Sequence, residues 1–290
     1  MGISDLSDLK VLHSERLDLI VLHSQKGGPG KTTLSCNIAH ELAKRGNKTA
    51  LVDLDIAQPT IQHIFHIPDD QISVTINNIL LGETKISEQA LIKTNYSNLF
   101  LIPAKENVEY GEGLLSLLEG IQQFSFFALH EMTKFLLRMG FRYVVYDCAP
   151  GYRMESVNAA AIADARIFVV RPSTFSFEGA KQMLNDIYKK LDIRSLNFFV
   201  FNQVPPQLKD ENKKLLESWK EEIIELYKPD KIFFLDFLPL SFDIMELGIK
   251  GEYIIPEKED LYKRLSKVVD TIIRKIDEMK EKKIKEEEKA

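Results

Sequence analysis

The sequence predicts an α/β protein, a doubly wound, mostly parallel sheet with helices on both faces. Three observations predict it. Short, continuous apolar runs rich in Val, Ile and Phe recur along the chain. Runs without polar alternation suit strands that are buried on both faces of a parallel sheet. Helix-period segments separate these runs, as crossover connections require. A Gly-rich turn joins the first apolar run to the first helical one, an arrangement whose converging N–H groups suit an anion.

The strands are expected at Leu19–Leu22, Thr49–Val52, Leu99–Ile102, Tyr143–Tyr146, Ile167–Val170, Phe198–Phe201 and Ile232–Leu235. Helices are expected at about 33–45, 126–139, 177–191, 211–227 and 258–283. The alternation places ligands at the carboxyl ends of the strands. The last helix carries an apolar stripe, Leu261, Leu265, Val268, Val269, Ile272, Ile276 and Met279, so one face meets the core. No internal repeat and no Pro/Gly/Ser-rich linker divides the chain. The expected organisation is an N-terminal extension over 1–18, a single domain over 19–283 and a charged tail over 284–290. The extension is too short for a helix-turn-helix unit. The tail holds Ile284 as its one bulky apolar residue, which suits a solvated end better than a membrane-binding helix.

With 290 residues, 44% hydrophobic and 28% charged, the chain has the composition of a folded soluble protein. No apolar run is long enough to span a bilayer. The first 18 residues include acidic side chains and no apolar block, so they do not read as a signal peptide. Leu6 stands where a myristoylation signal after Gly2 needs Ser or Thr. Cys36 and Cys148 are the two cysteines and read as reduced core thiols, which predicts a cytoplasmic protein. A net charge of −5 excludes a globally basic nucleic-acid binder but leaves room for a local basic patch.

The most informative segment is Gln25-Lys26-Gly27-Gly28-Pro29-Gly30-Lys31-Thr32-Thr33. Strand, glycine turn, lysine, hydroxyl and helix come in the order a phosphate-binding loop needs. The loop Gly27 through Thr33 would bind the nucleotide: its backbone N–H groups, which Pro29 lacks, converge on the anion, and the helix N-terminus adds partial positive charge. Lys31 would reach the β- and γ-phosphates, and Thr32 would place its hydroxyl on Mg²⁺. Gln25 stands where the common loop has its first glycine, and a second lysine, Lys26, follows it.

Three strand ends extend the pattern. Asp53 and Asp55 lie two residues apart, so their carboxylates share a side. Phe141 to Tyr146 is an apolar strand that ends in Asp147 and a Pro150-Gly151 turn. An acid there can hold Mg²⁺ through its water shell, because Mg²⁺ takes few protein carboxylates. Phe198 to Phe201 ends in Asn202, whose amide offers both a donor and an acceptor.

Taken with these motifs, the Lys-Gly-Gly-x-Gly-Lys-Thr loop resembles the deviant Walker A loop of the ParA/MinD superfamily of P-loop ATPases. The resemblance runs from about Leu19 to Pro256. It implies binding of ATP and Mg²⁺, hydrolysis to ADP and phosphate, and an ATP-dependent homodimer in which Lys26 reaches the partner's nucleotide. It also implies that Asp55 orients the attacking water and helps hold Mg²⁺, that Asp53 supports the site from below, and that Asp147 belongs to a switch sensing the γ-phosphate. Asn202 would read adenine, and Pro239 in Leu238-Pro239-Leu240 would form a wall beside the purine.

Leu101-Ile102-Pro103-Ala104 resembles a strand of ParA proteins, and Val169 to Ser173 with Ser176 to Gly179 resembles their following strand and helix start. Ile56-Ala57-Gln58-Pro59-Thr60 departs from the Pro-Gln-Gly run usual in ParA and looks nearer to MinD-like versions. The first expectation is therefore a DNA-partitioning ATPase that binds DNA non-specifically as an ATP dimer and is released by a centromere-binding or activator protein. The alternative is a MinD-like positioning ATPase acting on membrane or protein partners. A metal-cofactor or iron–sulfur carrier would need a Cys-x-x-Cys pair, which the chain lacks. A small-molecule kinase or synthetase would need a substrate pocket that the sequence does not locate. His63 and His66 could pair on a helix, but no third metal ligand is evident. Lys189, Lys190 and Arg194, or Lys213, Lys214 and Lys220, are candidate phosphate contacts, though solvated helix faces explain them as well.

Overall fold

Every expected apolar run forms a strand. Among the described residues the eight strands are β1 (Asp18–His23), β2 (Thr49–Leu54), β3 (Ile92–Lys93), β4 (Leu99–Ile102), β5 (Tyr143–Cys148), β6 (Ala165–Val170), β7 (Leu196–Val204) and β8 (Ile232–Pro239). The computed structural model describes residues 17–105, 114–191, 195–227 and 232–287. Residues 1–16 of the expected extension, Arg194 and residues 288–290 of the tail lie outside the described residues.

The strands form one sheet in the order β3-β4-β2-β5-β1-β6-β7-β8. All neighbours are parallel except β3 and β4. From β1 the chain builds outward in both directions, so the crevice at the carboxyl end of β1 is the natural ligand position.

The helices are α1 (Lys31–Lys44), α2 (Ile61–Ile64), α3 (Ile76–Leu80), α4 (Leu114–Arg138), α5 (Met154–Ile162), α6 (Thr174–Met183), α7 (Asp210–Tyr227), α8 (Phe242–Ile249) and α9 (Asp260–Glu287). A π-helical segment, Leu184–Tyr188, continues α6. The segment expected as one helix over 177–191 is thus an α-helix followed by a wider turn. Helix α1 begins at Lys31, two residues before the expected start, because Gly30 takes a left-handed conformation and ends the loop there.

Successive residues of β1 feed two separate cores. Leu19 and Val21 join the cluster that holds Leu129 and Met132 of α4, Ala159 of α5, Phe177 and Met183 of α6 and Ile223 of α7. Ile20 and Leu22 join the cluster that holds Leu34, Ile38 and Leu42 of α1 and Leu265, Val268, Val269, Ile272 and Ile276 of α9. The stripe expected on the last helix therefore does face the core. Full burial of one such side chain contributes about 1.5–3 kcal/mol, so the double-sided packing holds β1 and the loop after it firmly. Polar groups add a second tie between α1 and the last helix. Glu41 accepts from Tyr262 Oη at 2.5 Å and from Ser266 Oγ at 2.9 Å. Among the described residues, no helix is long and apolar enough to cross a membrane.

Candidate functional site: a phosphate cradle at the carboxyl edge

Strand β1 delivers the loop 24–30 to the carboxyl edge of the sheet, and α1 leaves from it. Gly28 and Gly30 both have φ of 85°, a region that costs other residues about 1–2 kcal/mol. Gly30 is the N-cap of α1, with no side-chain cap on the helix. The first N–H groups of α1 therefore stay available to an anion. Lys31, the first residue of the helix, is 7% exposed.

Neighbouring strands hold the loop from the side. Asn202, near the end of β7, donates from Nδ2 to the Pro29 carbonyl at 2.7 Å. Gln203 donates from Nε2 to the Gly28 carbonyl at 3.2 Å and adopts φ of 61° to do so. A Cβ on Gly30 would lie 2.5 Å from the Asn202 Nδ2, so glycine at 30 and asparagine at 202 fit each other. One of the two Asn202 N–H donors is thus engaged by the loop. Gln25 lies on Gly179 of α6, where a Cβ would come within 2.5 Å of Gln25 Oε1. Gln25 Oε1 itself is buried without a hydrogen-bond partner.

Three carboxylates lie at the strand ends, and Lys31 acts on two of them, Asp55 and Asp147. Asp53 and Asp147 occupy opposite positions on the parallel strands β2 and β5. Both are 1% exposed. Burial and the facing Asp147 charge push the Asp53 carboxyl up to about 8, despite three N–H donors. Those donors are the amides of Asp55 at 3.0 Å, Thr60 at 3.2 Å and Ile61 at 3.2 Å. Asp53 thereby shapes the loop from Asp55 to Ile61 and anchors the start of α2. Asp147 is pushed up to about 6 by burial, against the opposing influence of Thr32, Lys31 and Ser35. Ser35 Oγ donates to Asp147 Oδ1 at 2.9 Å, and the nearby Thr32 hydroxyl helps hold the Asp147 carboxyl down. Asp55 is half-buried, and burial raises its carboxyl against the pull of the Gln58 amide, Lys31 and Arg153.

The donor set fits Mg²⁺. Thr32, Asp55 and Asp147 supply hard oxygens, with Asp147 buried and Asp55 half-buried beside it. Among the described residues, no group of three or more His, Cys, Asp or Glu could hold a metal alone. Mg²⁺ does not need one, because it fills its shell with water and substrate phosphates. His63 lies on α2, whereas His66 lies past its end at φ of 52°, so the two do not share a helix.

Lys26 turns away from its own cradle. Its ammonium lies 5.4 Å from the centre of the Phe175 ring at the start of α6. Phe175 is 79% exposed. The pair borders an open cleft of about 520 Å³ lined by Gln25, Gly179, Gln182, Asn185 and Asp186. At the far side of the loop, Pro239 pairs with Val204 across β8 and β7. Both line a second cleft of about 310 Å³ with Pro205, Pro206, Leu216 and Phe237. Two of the three lysines expected as phosphate contacts on α7 carry acidic partners, Lys213 with Asp210 at 3.2 Å and Lys220 with Glu217 at 2.7 Å. Lys189 lies 5.5 Å from the centre of the Tyr227 ring.

Several site residues were invisible to motif reading. Ser35 could have been found by its spacing, since i and i+4 on one helix face place it directly behind Lys31. His23 and Gln203 offer no such signal. His23 closes β1 and is fully buried. Its Nε2 lies 2.8 Å from the Gly151 carbonyl and its Nδ1 2.7 Å from the Tyr188 hydroxyl.

A family model described as an AAA domain matches residues 17–197. Septum site-determining protein MinD of Neisseria meningitidis serogroup B is 32% identical over 173 residues, covering 59% of this chain and 60% of that protein. Chromosome partitioning protein ParA of Caulobacter vibrioides is 30% identical over 172 residues, covering 59% of this chain and 62% of that protein. Both matches therefore span less than two thirds of the relative's own length. The fold is shared with the septum site-determining protein MinD of Pyrococcus horikoshii complexed with Mg-ADP, at a TM-score of 0.67 and 18% identity, covering 88% of this chain and 96% of that one. Through its domain match, its phosphate loop and its sheet, the chain belongs to the ParA/MinD superfamily of deviant Walker A P-loop ATPases.

Proposed function

We propose that this chain is an Mg²⁺-dependent ATP hydrolase whose ATP-bound form dimerises and whose hydrolysis ends the dimer. The observation that carries the reading is Lys31, nearly buried at the uncapped start of α1, facing the strand-end acids Asp55 and Asp147. A lysine with so little solvent around it suits a phosphate chain as counter-ion. The Mg-ADP complex of the Pyrococcus horikoshii relative supports the choice of nucleotide and metal.

The loop amides and Lys31 bind the phosphates. Thr32, Asp55 and Asp147 would hold Mg²⁺, which when bound withdraws charge from the transferring phosphoryl group. Asp55 orients a water molecule, whose oxygen bonds to the γ-phosphorus as the bond to the ADP oxygen breaks. Positioning and charge neutralisation supply most of the rate in such reactions. Asn202 keeps its Nδ2 on Pro29 and presents its carbonyl oxygen to the amino group of adenine. Pro239 contributes an apolar wall on that side. Lys26 sits on Phe175 in the single chain and leaves it for the partner's nucleotide in the dimer.

The ATP state then engages a surface, and a partner protein releases it by stimulating hydrolysis in the cytoplasm. Non-specific DNA with a centromere-binding or activator partner is the first candidate, supported by the ParA relative and the Leu-Ile-Pro-Ala strand. The paired lysines of α7 favour the second, a MinD-like protein or membrane partner. Fluorescence anisotropy with duplex DNA at stated salt decides, using Asp55→Ala to hold the ATP state. Binding that needs ATP and weakens steeply with salt supports DNA. ATP binding with no DNA binding at low salt rejects DNA and leaves the MinD-like surface.

A further inference from the structure

His23 does work that the phosphate loop does not explain. It is the last residue of β1, one position before the loop begins. Its ring links two segments far apart in sequence. The Gly151 carbonyl can only accept, so Nε2 must carry the proton that bonds it at 2.8 Å. Nδ1 is then bare and accepts from the Tyr188 hydroxyl at 2.7 Å. The Gly151 carbonyl thus selects the tautomer, and the Tyr188 O–H, able to act either way, takes the donor role. Burial keeps the ring neutral, which preserves this one-way chain of donors.

The two ends of the chain are the informative part. Gly151 lies in the turn that follows Asp147, and its N–H returns to the Ser24 carbonyl at 2.9 Å. Tyr188 closes the π segment after α6. The next residue faces the same π segment, since the Asp186 carboxylate adds to the burial that raises the Tyr152 hydroxyl. Asn185 and Asp186 line the 520 Å³ cleft with Lys26 and Phe175. One buried ring therefore joins the acid-bearing turn to the floor of the cleft beside Lys26. A π segment winds wider than an α-helix, and such segments gather at functional sites.

We propose that His23 is a positioning residue that couples the Asp147–Gly151 turn to the π segment Leu184–Tyr188, so that nucleotide bound at the loop changes the cleft bordered by Lys26 and Phe175. The coupling rests on the nucleotide reading given above. It predicts that a change at Gly151 is felt at Tyr188 only while His23 carries its proton on Nε2.

The test is hydrogen exchange on the full chain with and without Mg²⁺ and a non-hydrolysable ATP analogue, with analogue binding measured alongside. In the wild type the analogue should slow exchange over 184–190 by about three- to tenfold, the size one hydrogen bond confers. In His23→Leu the loop amides should still respond while 184–190 changes less than about twofold, below the smallest effect of one such bond. His23→Gln, which keeps a donor for Gly151, should restore part of the response. Tyr188→Phe should remove it with both rings still packed, and it keeps the question open to test if His23→Leu does not fold. An undiminished response at 184–190 in His23→Leu or Tyr188→Phe overturns the coupling. Analogue binding in the wild type with no change at 184–190 overturns it as well, and leaves the nucleotide reading standing. No analogue binding by the wild type rejects the nucleotide reading and the coupling with it.

Discussion

Gly30→Ala should damage the loop twice over, and the two parts can be separated. The φ of 85° at Gly30 costs alanine about 1–2 kcal/mol. The new Cβ would also lie 2.5 Å from Asn202 Nδ2, closer than real contacts allow. The Asn202 amide must swing away and abandon its 2.7 Å bond to the Pro29 carbonyl. Losing a buried bond and leaving a group unmet costs about 1–3 kcal/mol. Gly30→Ala alone should therefore cost about 2–5 kcal/mol. Asn202→Ala in the wild-type background should cost about 1–3 kcal/mol through the same lost bond. In the Gly30→Ala background it should cost almost nothing, because that bond is already gone. Urea unfolding of the four proteins measures the cycle, provided the slope is unchanged. Equal costs of Asn202→Ala in both backgrounds would refute the contact between residues 30 and 202.

Other consequences follow from the same geometry. Asn37 donates to the Thr33 carbonyl at 2.7 Å and the Tyr253 carbonyl at 2.8 Å, and accepts from the Ile255 amide at 2.7 Å. Asn37→Ala should lower unfolding stability by about 2–4 kcal/mol, and a change below about 0.5 kcal/mol would contradict the clamp. Burial depresses His23 from 6.5 to about 4 in the fold, so the unfolded chain binds the extra proton between those values. The His23 contribution is therefore complete above pH 6.5 and falls by about 3 kcal/mol as pH drops to 4. Asp53 acts in the opposite sense, since its folded value of about 8 exceeds the ordinary 3.8 and its stability is lost as pH rises between them. The stability difference between wild type and His23→Gln should shift with pH over 4 to 6.5, and parallel pH profiles would contradict a neutral buried ring. Lys31→Ala should abolish phosphate release under saturating ATP, whereas Asp55→Ala should retain ATP binding and lose turnover by about a hundredfold or more, as loss of a water-positioning group does. Turnover within about twofold of wild type in Asp55→Ala would move the water-orienting role elsewhere.

The local parts of the site were legible in the sequence. Loop 25–33 carries its own turn chemistry, and Asp53, Asp55 and Asp147 announce themselves at the ends of apolar runs. Elements without periodicity were missed. Helix α5 is Ala-rich and apolar on most sides, so no polar face marks it as a helix. Strand β3 has two residues, too few for any pattern. Helix α4 starts at Leu114, about twelve residues before the expected start, and Gly120 interrupts the helix-forming run between. The grip of Asn202 on Pro29 spans 173 positions, and that of His23 on Tyr188 spans 165. Contacts at such separation are created by strand order, which no local spacing encodes.

Light scattering of the Asp55→Ala protein with Mg²⁺ and either ATP or ADP tests the central claim most directly. The account predicts a dimer with ATP, a monomer with ADP, and a monomer under both conditions once Lys31 or Lys26 is also replaced by alanine. ATP bound at the loop, with a mass that ignores which nucleotide is present, would contradict it.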